Sequence, residues 1–240
     1  MDNTELMTTW CRMWSEDPAL AREVMTDDCV QWSGQTPGLD TVVGPEQQEK
    51  FVTGYRAQHV NVFQPRVLVD GGDRFAYLWD VTRPDGSITT GIDVNMVREG
   101  RIAENWTFVA THRCDEPDPQ TGGSLDGVGL AEQWLQLQNG QRGADHALVT
   151  DDVTVFVGES QAIRGSAPLA AHLDAVRAAY PPLAVELHRQ PVLDAASGRI
   201  ALLRTTTDAD GLAGGVDLLA VRDGRIAQVW SLSGTRPFRY

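Results

Sequence analysis

GIDVNMVREGRIAENW at residues 91–106 returns as GVDLLAVRDGRIAQVW at residues 215–230, an offset of 124 with nine of the 16 positions identical. The same offset carries Trp10 to Trp134, Asp27-Asp28 to Asp151-Asp152 and Gly34 to Gly158. One offset held over most of each half is the mark of a duplicated domain. Each copy of the quoted stretch reads as two strands around a tight turn, Glu99-Gly100 in one and Asp223-Gly224 in the other. Where the copies agree, architecture is the first explanation. Where they differ, chemistry has room to differ.

Working outward, each unit opens on helices. Leu6, Trp10, Met13 and Trp14 share one face of a helix predicted over Thr4–Trp14. Asp17-Pro18 starts a second short helix, PALAREVM, because Asp accepts from early amides and Pro suits the first turn. CVQWS alternates like a strand. GPEQQEKFVTGYRAQH forms a third helix with Phe51 and Tyr55 on one face. Strand-like runs follow at about 60–69, 74–82, 88–98 and 101–111, joined through Gly71-Gly72, Asp85-Gly86 and Glu99-Gly100. Residues 113–125, RCDEPDPQTGGSL, have linker composition. The second unit repeats the order: helix LAEQWLQLQ, short helix ADHALV, strand VTVFV, helix SAPLAAHLDAVRAAY, and strands at 183–193, 199–207, 214–222 and 225–235. The expected organisation is domain 1 over 1–112, a linker over 113–125 and domain 2 over 126–240.

The net charge of −13 disfavours a phosphate backbone or an anionic membrane as partner. No apolar stretch approaches 18 residues, which excludes a spanning helix on hydropathy. The opening MDNTELMTTW lacks the basic residues and apolar run of a secretory leader. Cys11, Cys29 and Cys114 are odd in number and have no CxxC spacing, which argues for a reducing compartment and against disulfides or zinc. The expectation is a cytoplasmic protein. Gly-rich phosphate loops, HExxH and GxSxG are all missing from the sequence, so neither a cofactor nor a metal is expected.

Helices ahead of a meander make an α+β fold, with three helices packed on a curved antiparallel sheet in each unit. The element order, the Asp-Asp before the first strand and the ending D-G-R-I-x-x-x-W resemble the NTF2-like superfamily. Within it the chain is most similar to SnoaL-like polyketide cyclases and ketosteroid isomerases. The resemblance covers both halves and implies two tandem cone-shaped domains, each enclosing a cavity. If Asp93 faces inward, strand alternation also turns Gly91, Asn95 and Val97 in, and the family register adds Asn105, Thr107, Val109, Tyr77, Trp79 and Val81 while leaving Asp80 out. Trp10, Trp14, Trp32, Phe51 and Tyr55 complete an aromatic wall with few polar groups, the usual composition of a small-molecule site. In the second copy Phe51 becomes His172, Tyr55 becomes Val176, Tyr77 becomes Leu202, Trp79 becomes Arg204 and Asn105 becomes Val229, whereas Asp217 is kept. Arg204 beside Asp217 reads as a buried ion pair or an anion site. His172 with Asp217 is a second, acid/base alternative.

As the resemblance implies, Asp93 and Asp217 align with the carboxylic acid that ketosteroid isomerases keep protonated as a hydrogen-bond donor. A carboxyl group in an apolar cavity resists ionisation and can donate to a developing oxyanion. The other reading of Asp93 is a strand-holding hydrogen bond. The family's proton-abstracting position holds Ser33, and Val157 in the second copy. Its last-strand His and acid are replaced by Asn105 and Ala110, and by Val229 and Gly234. His59 and Tyr55 remain as weak bases, and Asp27 and Asp28 read as helix-end and turn residues. The expected activity is therefore cofactor-independent cyclisation, isomerisation, dehydration or epoxide opening of a hydrophobic, polyketide-like metabolite. Asp93, Asp217 and His172 are the catalytic candidates. Substrate binding falls to Trp10, Trp14, Trp32, Phe51, Tyr55, Tyr77, Trp79, Asn105 and Arg204. Alternatives are a non-catalytic carrier for such a compound and a structural pseudo-dimer. A monomeric pseudo-dimer or a homodimer is expected.

Overall fold

A computed structural model describes residues 1–36, 38–115, 126–141, 145–158 and 162–239. The chain divides into two compact units, Met1–Glu116 and Pro117–Tyr240. In the first, α1 (Asn3–Ser15) starts on a capping box between Asp2 and Glu5. A short 3₁₀ turn, Pro18–Leu20, is capped by Asp17 and leads into α2 (Ala21–Val24). Then come β1 (Met25–Ser33), α3 (Gly44–Gln58), β2 (Val62–Asp70), β3 (Arg74–Thr82), β4 (Ile88–Arg98) and β5 (Arg101–Val109). The second unit has α4 (Gly127–Gln138), α5 (Asp145–Leu148), β6 (Val149–Val157), β7 (Ile163–Arg164), α6 (Ser166–Ala179), β8 (Ala184–Leu187), β9 (Val192–Asp194), β10 (Arg199–Asp208), β11 (Gly211–Arg222) and β12 (Arg225–Ser233). Both units are thus the helices-then-sheet α+β arrangement that the resemblance implied.

The first sheet runs β1-β5-β4-β3-β2 and the second β7-β6-β12-β11-β10-β8, with β9 also on β10. Neither sheet is wholly antiparallel as expected. β1 pairs parallel with β5, and β6 with β12, because α3 and three strands, or α6 and five strands, intervene before the partner arrives. The strand expected over 183–193 is broken into β8 and β9. The short β7 and a 3₁₀ turn at Leu39–Thr41 went unforeseen. CVQWS proves to be the end of a longer β1, so Asp27 and Asp28 lie on a strand and not at a helix end or turn. Asp28 is exposed and pairs with Arg98, and Asp152 with Arg222, the same surface ion pair in each copy. The turn after β4 has Glu99 and Gly100 both at positive φ, as do Asp223 and Gly224 after β11, which suits the right-handed twist of a two-residue hairpin.

Each unit has its own core. Leu6, Trp10, Met13, Val24, Val52 and Phe75 belong to the first, and Leu130, Trp134, Leu148, Leu169, Ile200 and Val229 to the second. Asp80 turns away from the first core, as expected, and is nonetheless buried. It accepts from Arg66 at 2.9 Å, Arg113 at 2.9 Å and Thr90 at 2.7 Å. Arg66 also donates to the Cys114 carbonyl, and the Cys114 amide to Thr90. Residues 113 and 114 are therefore tied to the sheet instead of starting a linker. From 116 to 125 the expected linker lies outside the described residues. All three cysteines are free and buried. Among the described residues no helix is long and apolar enough to cross a membrane.

Candidate active site

Three cross-strand rows build the inner face of the first sheet. Ser33, Thr107, Asp93 and Tyr77 stand opposite one another on β1, β5, β4 and β3. One row over are Gln31, Asn105 and Asn95, and on the other side Val109, Gly91 and Trp79. Residues directly opposite share a face, so the inward register implied by alternation and the family resemblance is the observed one. The face bounds a cavity of about 300 Å³. That lies at the lower end of the roughly 300–1,000 Å³ typical of small-molecule sites.

Of the expected residues, Trp10, Trp14, Phe51, Tyr55, Tyr77, Trp79 and Asp93 line this cavity. Trp14 meets Phe51, Tyr55 and Phe63 at centroid distances of 6.1, 5.4 and 5.8 Å, and Phe63 meets Trp79 at 5.4 Å. These are the offset and edge contacts aromatic rings prefer. Trp32 does not belong to the wall. Gln31 and Ser33 face the cavity, so alternation sends Trp32 to the opposite side, where it packs on Phe108. Asn105 is buried and does not line the cavity; it donates to the lining residue Asp93 at 3.0 Å and to buried Asn95 at 2.8 Å. Sequence reasoning missed Cys11, Gln31, Thr36, Leu39, Asn61, Phe63 and Arg83. For Arg83 a signal existed: Tyr77, Trp79, Val81 and Arg83 continue one alternation along β3.

Asp93 is 3% exposed and, among the described residues, forms no ion pair. Its Oδ1 accepts from Trp79 Nε1 at 2.7 Å, and its Oδ2 from Tyr77 Oη and Asn105 Nδ2 at 3.0 Å each. The Thr107 hydroxyl hydrogen-bonds it as well. Burial outweighs these hydrogen bonds and lifts the carboxyl above the ordinary carboxylate range. Burial also raises Tyr77 well above its usual value and makes the Cys11 thiol a poor nucleophile. Ser33, at the family's base position, accepts from the Thr36 amide at 3.0 Å and shapes the loop after β1. Tyr55 accepts from Asn61 at 2.6 Å, and His59 is exposed beside the Tyr55 ring.

The raised Asp93 sets a pH dependence. Between its unfolded value near 3.8 and its higher folded value, the folded protein holds a proton that the unfolded chain has lost. Stability therefore falls as pH rises through that window. Asp93→Asn removes this slope. Melting temperatures of wild type and variant, measured from about pH 4 upward, should shift in the variant's favour with rising pH and level off once the folded carboxyl is ionised. A constant difference would count against the raised carboxyl.

The second unit uses the same place differently. Asp217 is fully buried beneath four side-chain donors: Trp134 Nε1 at 2.7 Å and Gln138 Nε2 at 2.8 Å on Oδ2, Ser231 Oγ at 2.6 Å and Arg204 Nε at 3.0 Å on Oδ1. The rest of the Arg204 guanidinium is engaged by Thr206, Ser231 and Ser233. Of the alternatives for Arg204, the ion pair is the one formed, and too few donors are left over to hold an anion bidentately. His172 is half-buried on α6 and makes no hydrogen bond to Asp217, so the acid/base pair is not assembled. The polar row Gln31, Asn105 and Asn95 is Val155, Val229 and Leu219 here.

No protein-family model and no curated protein matches the chain. Solved structures do. A candidate isomerase of the SnoaL-like family from Agrobacterium tumefaciens is 20% identical over 45% of this chain and 96% of its own, with a TM-score of 0.40. A candidate SnoaL-like polyketide cyclase from Jannaschia sp. is 14% identical over 50% of this chain and 90% of its own, with a TM-score of 0.41. IdmH, a candidate polyketide cyclase from Streptomyces antibioticus, is 18% identical over 45% and 92%, with a TM-score of 0.39. Each likeness spans half of this chain or less and concerns fold alone.

Proposed function

We propose that the first unit is a cofactor-independent enzyme that isomerises, cyclises, dehydrates or opens an epoxide of a hydrophobic, polyketide-like metabolite, and that the second unit supports it. One observation carries this reading. An aromatic-walled cavity has at its floor a buried carboxyl group with no counter-cation among the described residues, hydrogen-bonded to side chains. The Trp79 indole can only donate N–H to Asp93, and Asn105 donates to it through the Nδ2 that also bonds Asn95, whereas Tyr77 and Thr107 can reverse their hydroxyls. A protonated Asp93 donates to the Tyr77 or Thr107 oxygen, and that hydroxyl hydrogen turns toward a substrate carbonyl, epoxide or leaving hydroxyl. Asp93 is thus the acid, and Tyr77 or Thr107 its relay. Trp10, Trp14, Phe51, Tyr55 and Trp79 hold a flexible chain in reactive shape, which by itself supplies much of a cyclisation rate.

A second reading, a carrier that binds such a compound without turnover, is favoured by Ser33, which caps a loop where the family would place a base. Incubation with polyketide-like β-keto compounds, enones and epoxides, with chelator and without added cofactor, separates the two by mass spectrometry. Product from wild type that is lost in Asp93→Asn is the expected result. Tight binding of these compounds with no product would favour the carrier. The pseudo-dimer proposal is checked by light scattering, where a monomer is expected.

A further inference from the structure

The geometry points to a substrate with an acidic group at the end remote from its reacting carbonyl, recognised by Arg83; this rests on the small-molecule reading of the same cavity. Tyr77, Trp79, Val81 and Arg83 alternate along β3 and its continuation, and all four line the cavity. At about 3.4 Å per residue, Tyr77 and Arg83 are roughly 20 Å apart along the backbone. One rail therefore presents in order a hydroxyl on Asp93, an indole, an aliphatic side chain and a guanidinium. Arg83 is half-buried, and its place is set by the hairpin bond from its amide to the Ser87 carbonyl at 2.9 Å.

Its guanidinium is under-used. Among the described residues it makes one side-chain hydrogen bond, from Nη2 to Thr89 Oγ1 at 3.3 Å, and no ion pair. Asp85 in the same hairpin feels its charge but is not bonded to it, since that carboxylate accepts from Ser87. Arg204, in the second unit, spends its donors on Asp217, Thr206, Ser231 and Ser233. Among the described residues lining the cavity, Asp93 is the one carboxyl group and Arg83 the one guanidinium. Asp93 lies at the floor and is disfavoured as an anion. An acidic ligand group is thus repelled from nothing it must pass, and it meets a planar donor fork suited to carboxylate, sulfonate or an acidic enol. The matched reaction class is one whose substrate keeps a free acid terminus while its other end rearranges.

Two probes with the same ring skeleton test this: 1-anilinonaphthalene-8-sulfonate, which is anionic, and N-phenyl-1-naphthylamine, which is neutral. Both are titrated into the full chain by fluorescence, with Arg83→Gln and Arg83→Lys alongside. Wild type should bind one anionic probe per chain. Arg83→Gln should weaken that binding about tenfold while changing the neutral probe less than about twofold, and Arg83→Lys should fall between, because it keeps the charge and loses the fork. If both probes bind and Arg83→Gln moves them equally or not at all, the acid-group inference fails and the small-molecule cavity stands. If neither probe binds wild type, both fail.

Discussion

Asp217→Asn costs the second unit about 3–5 kcal/mol of stability, while Asp93→Asn costs less stability and lowers turnover by about 100-fold. The two carboxyls occupy equivalent places in the repeat, yet their partners assign them different work. Removing the Asp217 charge leaves the Arg204 guanidinium, whose side chain is 7% exposed, without its counter-ion. An uncompensated buried charge is among the few defects that reach several kcal/mol from one substitution. The melting transition should fall by about 10 °C or more. Asp93 has no cation to abandon. Asparagine in its place still accepts on one side and turns an amide N–H toward Trp79, Tyr77 or Asn105, which leaves a donor unpaired at about 1–3 kcal/mol. What it removes outright is the exchangeable proton. Turnover by Asp217→Asn, measured well below its melting temperature, should stay within about threefold of wild type. Equal losses of turnover in the two variants, or equal losses of stability, would sink the division of labour between the units.

The different surroundings of the two carboxyls were only partly legible in the sequence. The repeat exposed the strands, because Gly-x-Asp, the acidic-Gly turn and the final Trp recur at one spacing, and the register implied by the family resemblance placed Asp93, Tyr77 and Trp79 on one face. Two readings failed for physical reasons. The aromatic character of Trp32 suits the wall, but the strand period that puts Ser33 inside must put Trp32 outside. The alignment of copies offers His172 as a partner for Asp217, whereas the real partners include two from α4: Trp134, the repeat of Trp10, and Gln138, the repeat of Trp14. Helix side chains differ in length and direction between copies, so the carboxyl's donors change while its Cα does not. In the first unit the indole donor to Asp93 is Trp79 on β3, and Trp10 and Trp14 are left to line a cavity. Arg83 and the loop residues were out of reach of the repeat, because loops and hairpin ends are where the copies diverge.

The glycine shared by both copies of the repeat explains how those donors reach the carboxyl, and it predicts the second large effect. Gly91 faces Trp79 across the β3–β4 pair, and Gly215 faces Arg204 across β10–β11. A Cβ at Gly91 would lie 2.1 Å from the Trp79 indole, and one at Gly215 would lie 2.6 Å from the Arg204 guanidinium. In both units the long side chain lies flat over the glycine and delivers its N–H to the aspartate two residues on, at 2.7 and 3.0 Å. Gly91→Ala forces the indole off this path, breaks its bond to Asp93 and pushes it into the cavity. The expected cost is about 2–3 kcal/mol of stability from overpacking and a lost buried hydrogen bond, together with loss of turnover comparable to Asp93→Asn. Trp79→Val is costly alone, because it empties the wall, but it removes the atoms that the added methyl group would strike. The double variant should therefore be more stable than the sum of the single losses by about 1–3 kcal/mol in urea unfolding. Strict additivity would mean that the glycine is kept for some reason other than the side chain lying over it. If the indole must lie there for Asp93 to function, the double variant regains stability without regaining turnover, and that combination is what distinguishes a positioning device from simple packing.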